Sequence, residues 1–264
     1  MISTFNKVAM GNRSLVALLL IIVLVDPGVS GFLRNPTCGT SPQHADAKKV
    51  LLYAERQPWN FFRFVEQSSR FVNPFTNARS TTKRDIKKGD VVWKAGDPNN
   101  DFTFAPLDDV VMGGASASRF DAATGKWTGD VTDANSGGFI GIRSTPFVDY
   151  DMSTCQGVKL QITAPKGSSL RLKVVVRDST DFNGVGWTSS VDINPNKVGS
   201  TKVQIPFSKQ VPTRFAQTVS GQYFAKNQVR GIQLVFSKFE YDGALNPTFR
   251  VGDFQVQVAE IRAY

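Results

Sequence analysis

Only one histidine, His44, and two cysteines, Cys38 and Cys155, occur in 264 residues. A single imidazole excludes multi-histidine metal sites and leaves Ser-His-Asp or Cys-His chemistry one candidate base. Two cysteines cannot staple a fold of this size, and their spacing leaves open whether they pair. Long apolar runs are also missing. The longest, residues 15–25, would make about 16 Å of helix at 1.5 Å per residue, roughly half of a bilayer's hydrocarbon thickness. A Gly-x-Gly-x-x-Gly fingerprint is absent, because Gly184-Val185-Gly186 leads into Trp187 with no third glycine, and no Asp-x-Asp-x-Asp-Gly calcium loop occurs. Neither a nucleotide cofactor nor a metal is expected.

What is present is ordinary for a folded protein: 41% apolar and 20% charged residues, enough to bury a substantial core. The net charge of +9 is unevenly placed. Residues 32–96 carry 12 Lys/Arg against 5 Asp/Glu, whereas residues 97–264 carry 17 against 16. The larger part of the chain therefore lacks the bulk basic footprint of a nucleic-acid-binding domain, and no nucleic-acid partner is expected.

Lys7 and Arg13 precede the apolar run, and Val29-Ser30-Gly31 follows it, which is the anatomy of a signal peptide over residues 1–31 cut before Phe32. No transmembrane helix is expected after that cut. Phe32 and the basic, hydroxyl-containing stretch behind it (Arg34, Thr37, Thr40, Ser41, Lys48, Lys49) resemble the two-part presequence of algae with secondary plastids. A plastid destination is favoured, with secretion or the mitochondrion as alternatives.

Residues 32–90 read as a transit-like, partly helical extension. Asp46 suits the cap of a helix containing Val50, Leu51, Tyr53 and Ala54, and Pro58 interrupts it. A second short helix carries Trp59, Phe61, Phe62, Phe64 and Val65, and its aromatic density predicts docking on the neighbouring domain, with membrane or partner contact as the alternative. Residues 76–90 are polar and mostly charged, an exposed linker that sets the domain boundary at residue 91.

Beyond it the apolar period becomes two. Val158, Leu160 and Ile162 alternate with Lys159 and Gln161, and Leu170, Leu172 and Val174 with Arg171 and Lys173. Further strands are predicted over residues 138–143, 187–193, 201–207, 229–236 and 248–258. No βαβ rhythm appears, so the expected architecture is an all-β, antiparallel two-sheet sandwich. Arg171, Lys173 and Arg177 are predicted to face solvent, and Gly252-Asp253 to mark a bulge. Cys155 reads as a small buried or edge residue.

The most informative segment is Asp108-Asp109-Val110-Val111-Met112-Gly113-Gly114-Ala115-Ser116-Ala117-Ser118. Paired glycines permit positive φ or close backbone approach, an aspartate ahead of them can accept main-chain N–H bonds, and small residues let the next strand lie close to its neighbours. This predicts a rigid turn feeding a tightly packed strand. The adjacent carboxylates do not read as an acid/base pair, since neighbours on an extended chain point to opposite faces.

Asp109, Val111, Met112, Gly113, Gly114 and Ser116 resemble the signature of the complex I intermediate-associated protein 30 family. Gly137-Gly138-Phe139 with Ile142-Arg143-Ser144, Asp151 with Gly157-Val158-Lys159-Leu160, and Val203-Gln204-Ile205-Pro206-Phe207 follow in family order. The resemblance covers residues 91–264 and implies a galactose-binding-like jelly-roll sandwich. It also implies a non-enzymatic assembly factor, chaperone-like, whose partners are protein subunits of a membrane electron-transport complex: NADH:ubiquinone oxidoreductase or a plastid photosystem. Arg143 is the expected exposed partner contact. The alternative is a carbohydrate-binding module of the secretory pathway, with a glycan held by Trp187, Phe182, Asn183 and Arg143, or on Trp127. A buried Trp187 filling the sandwich is the plainer reading of that residue.

Overall fold

Residues 57–72, 82–193 and 200–264 are described by the structure, a computed structural model. The signal peptide, His44, Cys38, the helix expected after Asp46 and residues 76–81 of the polar linker lie outside the described residues; the rest of that linker is not simply exposed, because Arg84 and Asp85 pair with Tyr150 and Asp151 and Ile86 is buried in the core.

The chain enters through a helix, α1 (Phe61–Val72). Its start is set by Asn60, whose Oδ1 accepts the Arg63 amide at 3.0 Å, satisfying a first-turn N–H. Phe64, Gln67 and Phe71, three and four residues apart, form one buried face. Glu66 and Arg70, at i and i+4, pair at 2.5 Å on the solvent side. The helix thus begins two residues later than Trp59 and runs seven beyond Val65. Among the described residues no helix is long and apolar enough to cross a membrane.

The remaining elements are strands: β1 (Arg84–Asp85), β2 (Val91–Lys94), β3 (Thr103–Pro106), β4 (Ala117–Asp121), β5 (Lys126–Val131), β6 (Phe139–Thr145), β7 (Tyr150–Asp151), β8 (Gly157–Thr163), β9 (Leu170–Arg177), β10 (Gly186–Ile193), β11 (Thr201–Pro206), β12 (Val211–Arg214), β13 (Gln217–Thr218), β14 (Gly231–Ser237) and β15 (Gly252–Ala263). They build a jelly-roll sandwich. A seven-stranded sheet runs β13-β12-β10-β9-β14-β6-β3, and the opposing sheet runs β11-β8-β15-β5-β4, with β2 added alongside β15. All of these pairings are antiparallel; only the short β1 and β7 run parallel.

Alternation places Val158, Leu160 and Ile162 inward from one sheet and Leu172, Val174 and Val176 from the other, into a single core with Trp93, Trp127, Ile140, Leu234 and Phe236. Cys155 is a free buried thiol beneath it. The last strand departs from expectation. Gly252 and Asp253 stay in register with Val131 and Asp130, and the register shifts lie further on, between Val258 and Glu260 against β8 and between Ile261 and Arg262 against β2. Gly252 breaks the alternation with a positive φ of 97° and no skipped partner. The irregularity sits where the strand passes from β5 to β2 along one edge, so the change of neighbour is what bends it.

Candidate functional site

The family-like segment folds as a knot of hydrogen bonds around two carboxylates. Asp109 opens a short 3₁₀ turn, Asp109–Met112, which ends at Gly113 with φ 93°. Only glycine takes that conformation without strain. Asp109 Oδ1 accepts the Ser116 amide at 2.8 Å, and Oδ2 accepts the Ser116 hydroxyl at 2.7 Å and the Gly138 amide at 2.8 Å. Gly114 and Gly137 make room for this carboxylate: a Cβ on either would lie 2.3 Å from its Cγ or 2.4 Å from its Oδ2. Val111 packs against a small cluster of Phe71, Ala105 and Leu107, while Met112 is exposed.

Asp108 points the other way. Its Oδ1 accepts the Ser118 hydroxyl at 2.6 Å and the Gly141 amide at 3.3 Å; its Oδ2 accepts the Ser118 amide at 2.8 Å, Gln67 Nε2 at 3.0 Å and Arg63 Nη2 at 3.2 Å. The Asp108 amide returns a bond to Gln67 Oε1 at 2.8 Å. Burial raises the Asp108 pKa, against the opposing pull of the Ser118 and Gln67 hydrogen bonds. Both carboxylates are at most 1% exposed and saturated with donors, so they brace the loop and are placed out of reach of any substrate. Arg63 and Gln67 were not legible as partners of the motif; the signal was that they lie four residues apart on the helix, on the face that also carries Phe64 and Phe71.

Arg143 is a correction. It was expected as an exposed partner contact, but Arg143 is only 5% exposed. Its Nε donates to Gln233 Oε1 at 3.0 Å, and its guanidinium lies 5.4 Å from the Phe71 ring centroid and 5.2 Å from that of Phe182. Lys173 and Arg177, expected in solvent, are 8% and 4% exposed. The outer face of the seven-stranded sheet is roofed by α1, by residues 178–185 and by residues 238–246. Lys173 Nζ donates to the Phe239 and Glu240 carbonyls at 2.6 and 3.1 Å, and Arg177 Nη2 to the Asp181 and Gly184 carbonyls at 2.5 and 3.3 Å. Arg171 stays at the surface, paired with Asp192 at 2.7 Å.

Neither tryptophan offers an aromatic platform. Trp127 is fully buried against Phe254, and Trp187 is 6% exposed, packed on Phe224 with its Nε1 donating to Asp178 Oδ2 at 2.9 Å. Gly184-Val185-Gly186 opens β10, a strand, where a dinucleotide fingerprint would open a helix.

Exposed aromatic surface gathers elsewhere, at the start of α1. Phe62 is 86% exposed, with Trp59, Phe61 and Val65 between 40% and 46%. Trp59 is held in place by its Nε1, which donates to the Val110 carbonyl at 2.9 Å, beside exposed Met112. The helix therefore docks one face on the sandwich, as expected, and presents a second apolar face outward.

Among solved structures, the chain is similar to the family 11 carbohydrate-binding module from Clostridium thermocellum in complex with a β-1,3-1,4-mixed-linked tetrasaccharide: 16% identity, 67% of this chain and 95% of that one, TM-score 0.43. The family 11 module of a cellulosomal cellulase of Clostridium thermocellum is similar at 13% identity, over 68% and 96% of the two chains, with TM-score 0.43. No curated protein sequence matches. Residues 93–258, more than half the chain and nearly all of the sandwich, match the complex I intermediate-associated protein 30 family, and the chain belongs to it.

Proposed function

We propose that the chain is a non-enzymatic assembly factor that binds an immature subunit of a membrane electron-transport complex, NADH:ubiquinone oxidoreductase or a plastid photosystem. The family match over residues 93–258 carries this reading. The site chemistry supports it, because the best-defined polar cluster, around Asp108 and Asp109, is spent on bracing a loop. The outward face of α1 supplies the docking surface: Trp59, Phe61 and Phe62 are aromatic anchors on a helix already fixed to the sandwich, so little ordering entropy is lost when they are covered. In this reading the amino-terminal signal leads through the secretory route to the plastid, where a photosystem subunit is the partner, while a mitochondrial destination makes the partner a subunit of NADH:ubiquinone oxidoreductase; in either, the sandwich acts by recognition without turnover.

The test pairs the purified protein with individual subunits of the two complexes and follows binding by cross-linking and titration. Phe62→Asp, at an 86% exposed position, leaves the fold intact and weakens subunit binding by about tenfold or more. Failure to bind any subunit of either complex, in the compartment where the tagged protein resides, overturns the reading.

A further inference from the structure

The outer face of the seven-stranded sheet buries more positive charge than it balances. Register places Arg143 of β6 opposite Gln233 of β14, and Gln233 opposite Val175, two residues before Arg177 on β9. Both arginines therefore rise from one face with a single strand between theirs. Lys173, on the same face, has two carbonyl acceptors and feels the attraction of Glu240. Arg177 feels the attraction of Asp181 and Asp178 in the loop that follows its strand, whereas no carboxylate acts on Arg143. Arg143 Nη1 and Arg177 Nε are fully buried donors with no acceptor, and among the described residues neither guanidinium forms an ion pair. After burial itself, the charge that acts on Arg143 is Arg177, another cation.

An isolated buried lysine would relieve such a burden by losing its proton. Arginine does not, because its guanidinium stays protonated throughout the accessible pH range. Two guanidiniums held with unused donors call for negative charge, and their planar forks match the oxygen geometry of phosphate-type groups. Phe71 and Phe182, whose ring centroids lie 5.4 and 5.2 Å from the Arg143 guanidinium, cover it with apolar surface and limit the water that would screen an ion. Both rings belong to segments outside the sheet, α1 and the β9–β10 connection, so the enclosure can open without breaking a ladder.

We propose that Arg143 and Arg177, closed over by Phe71 and Phe182, form a binding site for a small tetrahedral oxyanion of the phosphate type. A tetrahedral oxyanion offers several oxygens to the unused donors, Arg143 Nη1 and Arg177 Nε, and its second charge meets Arg143, which has no carboxylate of its own; the expected order is phosphate or sulfate over acetate over chloride.

The experiment measures thermal unfolding and calorimetric binding of the full chain with sodium phosphate, sulfate, acetate or chloride at matched ionic strength. Phosphate should raise the midpoint in a saturable way, by roughly 5–11 °C at one hundred times its dissociation constant. Arg143→Gln and Arg177→Gln should each abolish the saturable part, and Arg143→Lys, which keeps the charge without the fork, should weaken binding about tenfold or more. The wild-type titration decides the matter even where a variant fails to fold. No saturable response beyond that of chloride, a response to acetate equal to that of phosphate, or a phosphate response unchanged in both glutamine variants would overturn the proposal.

Discussion

Asp109 and Ser116 grip each other twice, the serine donating its amide to one carboxylate oxygen at 2.8 Å and its hydroxyl to the other at 2.7 Å. The same hydroxyl accepts the Thr132 amide at 3.0 Å, so one serine joins the motif loop to the segment after β5. Asp109→Asn turns an acceptor toward donors at a buried position and should cost about 2–4 kcal/mol in denaturant unfolding. Gly114→Ala, whose Cβ would lie 2.3 Å from Asp109 Cγ, should cost a similar amount, about 2 kcal/mol or more, by forcing the same carboxylate away. A loss below 0.5 kcal/mol (approximately the noise of a surface substitution) in both would show that the knot does not support the fold.

Gln67 is the buried link between α1 and the motif, donating to the Asp108 carboxylate and accepting the Asp108 amide. Gln67→Ala leaves both groups short of a partner, and about 1–3 kcal/mol of helix docking should be lost. Amide hydrogen exchange is the readout. Residues of α1 should exchange roughly tenfold faster or more, while β8 and β9 keep their protection.

Burial lowers the Lys173 pKa from 10.5 to about 8, against the pull of Glu240. The folded value is the lower one, so between about pH 8 and 10.5 the unfolded chain binds more protons and stability rises with pH. This contribution is complete above the unfolded value and is lost as the pH falls through about 8. Lys173→Met removes the titration and keeps the length of the side chain. The stability of wild type relative to this variant should climb across that window by on the order of 2–3 kcal/mol; a flat difference would mean that the ammonium is solvated.

Cys155 is 1% exposed, its thiol donates to the Ile86 carbonyl at 3.2 Å, and burial pushes its pKa up. A scarce thiolate behind a packed wall reacts only through opening of the fold. In a Cys38→Ser background, modification by a disulfide reagent should be at least about 100-fold slower in the native protein than in denaturant. Comparable rates would place Cys155 at an accessible edge.

The sheet interior was readable where one face of a strand meets the core. Val158, Leu160 and Ile162, or Leu172, Val174 and Val176, carry the period of two because their other face is polar. β1, β7 and β13, of two residues each, have no room for a period and exist through their partners. The burial of Arg143, Lys173 and Arg177 was hidden for a different reason. Alternation identifies the outer face of a strand, but solvation of that face depends on which segments fold back across it: distant ones for Arg143 and Lys173, which meet Phe71 and Phe239, and the loop just after its own strand for Arg177, which meets Asp181 and Gly184. The motif loop was legible because its cause is local: Gly113 and Gly114 supply the turn, and an aspartate supplies the acceptors.

β15 has a consequence for how the molecule is made. It lies at the middle of its sheet, with β8 along one border and β5 and β2 sharing the other, although it is the last strand described. Until it arrives, β8 with β11 and β4 with β5 are separate two-stranded ribbons that cannot close over the hydrophobic interior. During vectorial synthesis the sandwich must wait open for its keystone, and holding factors would find their longest opportunity in that interval.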